Sequence, residues 1–237
     1  MIITSYIFYI TVIKLTGTSN TWKKNGEEIP MENRVSANIL ESHKLFVWLW
    51  EKTGTTHMSN LLRNFDFKHY YFDGNDKKLI HNRIIHTHEC GLFPGHEDYK
   101  LMVSTRNPYS RIVSSYKMNH LEDLDKNTFR DYLETIFYLN EPTGVNCYSF
   151  VKRKPDYFVR VEHMYDDYSK IPFIIESDFY RSGKLKQFTD VRLNPHPKGY
   201  KDWREYYSKE SADIVYYNMA RYFDMFGYDK NSYKIKK

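Results

Sequence analysis

Apolar residues fall into short runs punctuated by Gly, Pro and Asn, and the longest of them mark the elements of one fold. Leu45 to Trp50, LFVWLW, alternates too little to be half exposed, which predicts a buried strand. Met58, Leu61, Leu62 and Phe65 then recur at i, i+3, i+4 and i+7, one face of an amphipathic helix. A short strand is predicted near Arg83 to His88, and another at KLMVST (100–105). Asn107 and Pro108 then open a helix as N-cap and first-position proline. Thr128 to Tyr138 carries Phe129, Leu133, Ile136 and Phe137 on one helical side, and Tyr157 to Val161 is a further strand. Ser177 to Lys186 reads as irregular. The last helix begins after Ser208 and ends near Phe226, with Gly227 placed for a C-cap.

Strand alternating with helix predicts an α/β fold whose central parallel sheet is flanked by helices. The N-terminal alternation of Ile3, Tyr6, Phe8, Ile10 and Val12 suits a strand, and residues 16 to 38 read as a loop or connection. Residues 1–40 are therefore expected to be peripheral and 43–228 to form the core of a single domain.

Composition adds three constraints. The 237 residues include 22 Tyr and 15 Phe, enough large side chains to build one substantial core. A net charge of +5 suits anionic ligands, but the lysines are interleaved with acids, which argues against a dedicated nucleic-acid binder. Cys90 and Cys147 are too few for a disulfide framework and are compatible with a reducing compartment. MIITSYIFYITVIK is shorter than the roughly 20 apolar residues that a bilayer span needs, and it lacks a basic n-region. No stable membrane span is expected, a cytoplasmic address is favoured, and oligomeric state is open.

The candidate chemistry starts between the first buried strand and its helix. Gly54 lets backbone N–H groups converge on an anion at a helix start, where the dipole adds partial positive charge. Lys52 adds a full charge, and Thr53, Thr55 and Thr56 add hydroxyls. The loop lacks the first glycine of GxxxxGK[ST] and its lysine precedes the glycine, so a triphosphate with magnesium fits poorly. A second anion point follows at STRNPYSRIVSSYK. There Arg106 ends a strand, and the helical wheel puts Ser110, Arg111 and Ser114 on one arc opposite Ile112, Val113 and Tyr116.

These fragments, in this order, resemble the sulfotransferases that use 3′-phosphoadenosine 5′-phosphosulfate (PAPS). KTGTT is similar to their 5′-phosphosulfate loop, and R-x-P-x-x-R-x-x-S, from Arg106 to Ser114, is similar to their 3′-phosphate motif. PKGYKDW resembles the C-terminal segment that closes over the 3′-phosphate, although Pro197 stands where the family has arginine; the likeness implies that Lys198 and Gly199 are donor contacts. His57 falls at the family's adenine-stacking position. IIHTHE resembles both the K-T-H segment of cytosolic members and the H-x-H segment of uronyl 2-O-sulfotransferases, which implies His88 as catalytic base and His86 in an assisting role.

The resemblance spans about residues 43–228 and implies transfer of a sulfuryl group to an acceptor hydroxyl on a glycan or small molecule. It further implies release of adenosine 3′,5′-bisphosphate and no metal requirement. Three other readings compete. A zinc site from His86, His88 and Cys90 lacks a second ligand pair of convincing spacing. A P-loop nucleotide kinase or NTPase needs an acid where KLMVSTR has arginine. A non-catalytic polyanion-binding module needs a continuous basic stripe.

Overall fold

The computed structural model describes residues 21–24, 27–30, 35–73, 76–84, 96, 98–119, 128–138, 154–191 and 201–234. Strands β1 (Thr21–Lys24) and β2 (Glu27–Pro30) form an antiparallel hairpin. The main sheet contains β3 (Val35–Leu40), β4 (Leu45–Trp48), β5 (Lys68–Asp73), β6 (Asp76–His81), β7 (Lys100–Thr105) and β8 (Tyr157–Arg160), in the order β6-β5-β3-β4-β7-β8. The fold is α/β, but the sheet is mixed. Only β4, β7 and β8 run parallel, whereas β3, β5 and β6 extend it as antiparallel neighbours.

Helices cover both faces. They are α1 (Thr55–Leu62), α2 (Pro108–Asn119), α3 (Phe129–Tyr138), four short helices α4 (Met164–Tyr168), α5 (Pro172–Ile175), α6 (Asp178–Arg181) and α7 (Lys184–Asp190), and α8 (Lys209–Phe226). The strand β4 and its extension show why the apolar run is continuous. Phe46, Trp48 and Trp50 join one buried cluster with α2, α3 and α8, while Leu45, Val47 and Leu49 join a second with α1 and α4 to α7. A strand covered on both faces has no polar side to alternate. Among the described residues no helix is long and apolar enough to cross a membrane.

Three expectations change. Val35–Leu40 lies inside the stretch read as connection and peripheral, yet it is a central strand. Its polar Asn38 is fully buried because the amide oxygen pairs with His69 Nδ1 at 3.1 Å on β5. Burial, with a further contribution from the nearby His81, holds the His69 imidazole down to about 4, so the pair is a neutral hydrogen bond. Ser177 to Lys186, read as irregular, holds α6 and the start of α7, separated by a turn at Ser182 and Gly183, and Ser177 caps α6 by accepting from Tyr180 N. Arg83 and Ile84 follow β6 outside any strand, and the rest of the strand predicted there lies outside the described residues, as does the N-terminal strand.

Candidate functional site

The parallel pairing of β4 with β7 brings the two candidate loops together. Trp48 is in register with Val103, so the chains leaving both strands emerge side by side at the carboxyl end of the sheet. That edge is where open α/β sheets place ligands. Arg106, three residues past Val103, reaches the loop that follows β4, and its Nη1 donates to the Lys52 carbonyl at 3.4 Å.

The loop from Glu51 to Gly54 is held from below. Buried Thr53 donates its hydroxyl to the Trp50 carbonyl and shares a second hydrogen bond with Ser104 Oγ on β7, which also accepts from Trp50 N at 2.9 Å. Thr53 is thus a pin between the loop and its neighbouring strand. Gly54 is left-handed at φ 71, as is Lys52 at φ 60. A Cβ at Gly54 would lie 3.0 Å from Val161 Cγ2 and 3.2 Å from Met164 Cε, so packing beneath the loop itself demands glycine. Gly54 caps α1 without any side-chain hydrogen bond, and the ladder starts with Met58 N donating to Gly54 O. In that first turn Thr56 is exposed and Thr55 buried. His57 is also buried, with Phe188 edge-on to its ring at 4.6 Å, and burial pushes its pKa down. The ring is used in packing between α1 and α7.

On the second loop, Asn107 performs the capping expected of it: Oδ1 accepts from Tyr109 N at 3.0 Å and more weakly from Ser110 N at 3.4 Å. Glu162 fixes the same point by accepting from Asn107 N at 2.9 Å and from the Tyr228 hydroxyl at 3.2 Å. The Arg106 Nε donates to Ser110 Oγ at 2.8 Å, which lays the guanidinium along the α2 face that carries Ser114 one turn further on. Arg111 departs from its outward arc. It is 1% exposed, with Nε donating to the Glu51 carbonyl at 3.0 Å and its guanidinium 5.9 Å from the rings of both Trp50 and Tyr222. Two arginines from one segment therefore hold two successive carbonyls of the phosphate-loop candidate. The wheel gave no sign of this, because the partner is backbone on another element.

Cations and acids both stand at this edge. The Lys52 ammonium is half-buried, and its hydrogen bond goes to the Met118 thioether at 3.0 Å, a weak acceptor. Burial lowers its pKa, Glu51 raises it, and Arg106 lowers it again. Lys117, which sequence reasoning passed over, belongs to the same neighbourhood. Burial lowers its pKa, Asp202 opposes this, and Arg106 adds to the lowering. The available signal was its position three residues past Ser114, on the same helical face.

His86, His88, Lys198 and Gly199 lie outside the described residues. Among the described residues no group of three or more His, Cys, Asp or Glu side chains could hold a metal ion. The arrangement brings Lys52, Arg106, Ser110, Ser114 and the start of α1 to one end of the sheet, with Thr53 and His57 serving the packing around it. No protein-family model, curated protein or solved structure matches the chain.

Proposed function

We propose that the protein is a sulfotransferase that moves a sulfuryl group from PAPS to an acceptor hydroxyl, with a carbohydrate hydroxyl as the preferred acceptor class. The observation that carries this reading is the meeting of Lys52 and Arg106. Two cations from different loops share one edge of the sheet, and the hydrogen bond of one ammonium goes to a thioether. Like charges brought together out of water are relieved by a multiply charged anion. A neutral ligand gives no such relief.

In this reading Lys52 and the first-turn amides of α1 hold the 5′ side of the nucleotide, and Arg106 with Ser114 holds the 3′-phosphate. The donor, when bound, supplies the activated sulfuryl group, which passes to the acceptor oxygen as the bond from sulfur to the 5′-phosphate oxygen breaks. Lys52 stabilises the negative charge left on that oxygen, as a preorganised cation in a partly desolvated place. His88, assigned by the family resemblance, accepts the acceptor's proton, with His86 assisting. Thr53, Arg111 and Glu162 act at one remove by fixing the two loops.

Thermal denaturation in the presence of adenosine 3′,5′-bisphosphate, ATP with magnesium, or oligonucleotides tests the reading. Selective stabilisation by the bisphosphate is expected. Stabilisation by ATP with magnesium alone would replace the proposal with a phosphotransferase, and stabilisation by oligonucleotides alone with a polyanion-binding module.

A further inference from the structure

Met118 lies in the last turn of α2 and is 46% exposed. Met58, Met102 and Met219 are buried and Met164 and Met225 half-buried, so among the described residues Met118 is the one exposed methionine. Its Sδ accepts from the Lys52 ammonium at 3.0 Å. That lysine is held in place at its backbone, which is left-handed at φ 60 and whose carbonyl accepts from Arg106. Glu51 beside it supports the charge on the ammonium, and Arg106 opposes it. A thioether is a weak acceptor, and accepting one hydrogen bond leaves its sulfur a further lone pair. Oxidation turns it into a polar sulfoxide, and a hydrogen bond from an ionised donor to that oxygen is much stronger. One added oxygen at Met118 therefore changes what Lys52 is bonded to.

We propose that Met118 is a site of reversible oxidation by hydroperoxides, and that its sulfoxide captures the Lys52 ammonium and withdraws it from anion binding. The sulfur attacks one oxygen of the hydroperoxide, and the S–O bond forms as the O–O bond breaks. Sulfur gives up two electrons, the proton of the transferred oxygen passes to the departing one, and that leaves as water or an alcohol. The sulfoxide oxygen then accepts from Lys52 Nζ where the sulfur did before. The capture of Lys52 stands on the geometry alone, whereas its consequence for nucleotide binding rests on the donor reading given above.

Peptide mass spectrometry of the full chain after dilute hydrogen peroxide tests the site. Met118 should reach the sulfoxide about tenfold faster than Met164 or Met225. Lys52 in the oxidised chain should then react with an acylating reagent about threefold more slowly, because a stronger acceptor holds the amine in its charged form. Methionine sulfoxide reductase should restore the labelling, and Met118→Leu should show no response to peroxide. Met118→Gln, whose amide oxygen stands in for that of the sulfoxide, should slow the labelling with no oxidant. By titration calorimetry the oxidised chain should bind adenosine 3′,5′-bisphosphate about tenfold more weakly. Oxidation of Met118 no faster than that of Met164 and Met225, or Lys52 labelling that oxidation leaves unchanged, would overturn the proposal whether or not the nucleotide binds. Slower labelling of every lysine alike, or undiminished bisphosphate affinity after oxidation, would overturn it as well. Failure of the unoxidised chain to bind the bisphosphate, with the labelling result obtained, would overturn the donor reading and leave the capture of Lys52 standing.

Discussion

Replacing Gly54 with alanine isolates what the loop's shape demands. Left-handed backbone costs a non-glycine residue about 1–2 kcal/mol. The added methyl would also stand 3.0 Å from Val161 Cγ2 and 3.2 Å from Met164 Cε. The methionine end can swing away, but the β-branched valine sits at the turn leaving β8 and gives less. Overpacking of this kind adds ~1–2 kcal/mol, for a total of about 2–4 kcal/mol. Gly227 is the internal control, being left-handed at φ 70 with nothing within 4 Å of the place a methyl would take. Gly227→Ala should cost about 1 kcal/mol, the conformational part alone. Urea unfolding of both variants, with slopes compared to confirm an unchanged transition, measures the difference. Equal losses for the two would refute the claim that Val161 and Met164 fill the space under the loop. The same Gly54→Ala chain should also bind adenosine 3′,5′-bisphosphate more weakly, because the start of α1 is displaced.

Other outcomes follow from the same contacts. Thr53→Val should lower stability by about 1–2 kcal/mol in urea unfolding, since Ser104 Oγ and the Trp50 carbonyl lose a buried partner. Asp167 accepts from Arg160 Nε at 2.9 Å and Nη2 at 2.7 Å, and Asp167→Asn should cost about 3–5 kcal/mol by leaving that guanidinium without its charge partner. Burial alone would raise the Asp167 pKa, but the Arg160 hydrogen bonds and charge outweigh it and hold the group below its ordinary 3.8. Its contribution is therefore present in full above about pH 4 and is lost as pH falls through the lower folded-state value, so the gap between wild type and Asp167→Asn should close in acid. Lys52→Ala should reduce sulfuryl transfer by about 100-fold or more, measured as turnover of labelled PAPS, with the fold unchanged by circular dichroism.

Much of the site's framework was legible because it is written in local chemistry. LFVWLW has no polar position, which fits burial on both faces of a sheet, although only Leu45–Trp48 is strand, and Asn107-Pro108 and Ser208 with Gly227 mark helix ends through hydrogen bonds within a few residues. The antiparallel half of the sheet was hidden for the opposite reason. Asn38 is buried on β3 because His69 on β5 satisfies it, and β6 carries Asp76, Lys77, Lys78 and His81, so neither strand shows an apolar run. Arg111 was placed on the wrong side of its helix and Lys117 was passed over because their partners, the carbonyls of Glu51 and Lys201, lie 60 and 84 residues away and carry no side-chain signature. Parallel pairing of β4 with β7 sets the two candidate loops side by side, and Arg106 donates to the Lys52 carbonyl across them.

A crystal structure of the full chain with adenosine 3′,5′-bisphosphate tests the central claim most directly. The account predicts one nucleotide at the carboxyl end of β4 and β7, its 5′-phosphate on Lys52 and the first turn of α1 and its 3′-phosphate on Arg106 and Ser114. A nucleotide bound elsewhere, or Lys52 and Arg106 both left without contact to it, would contradict the account.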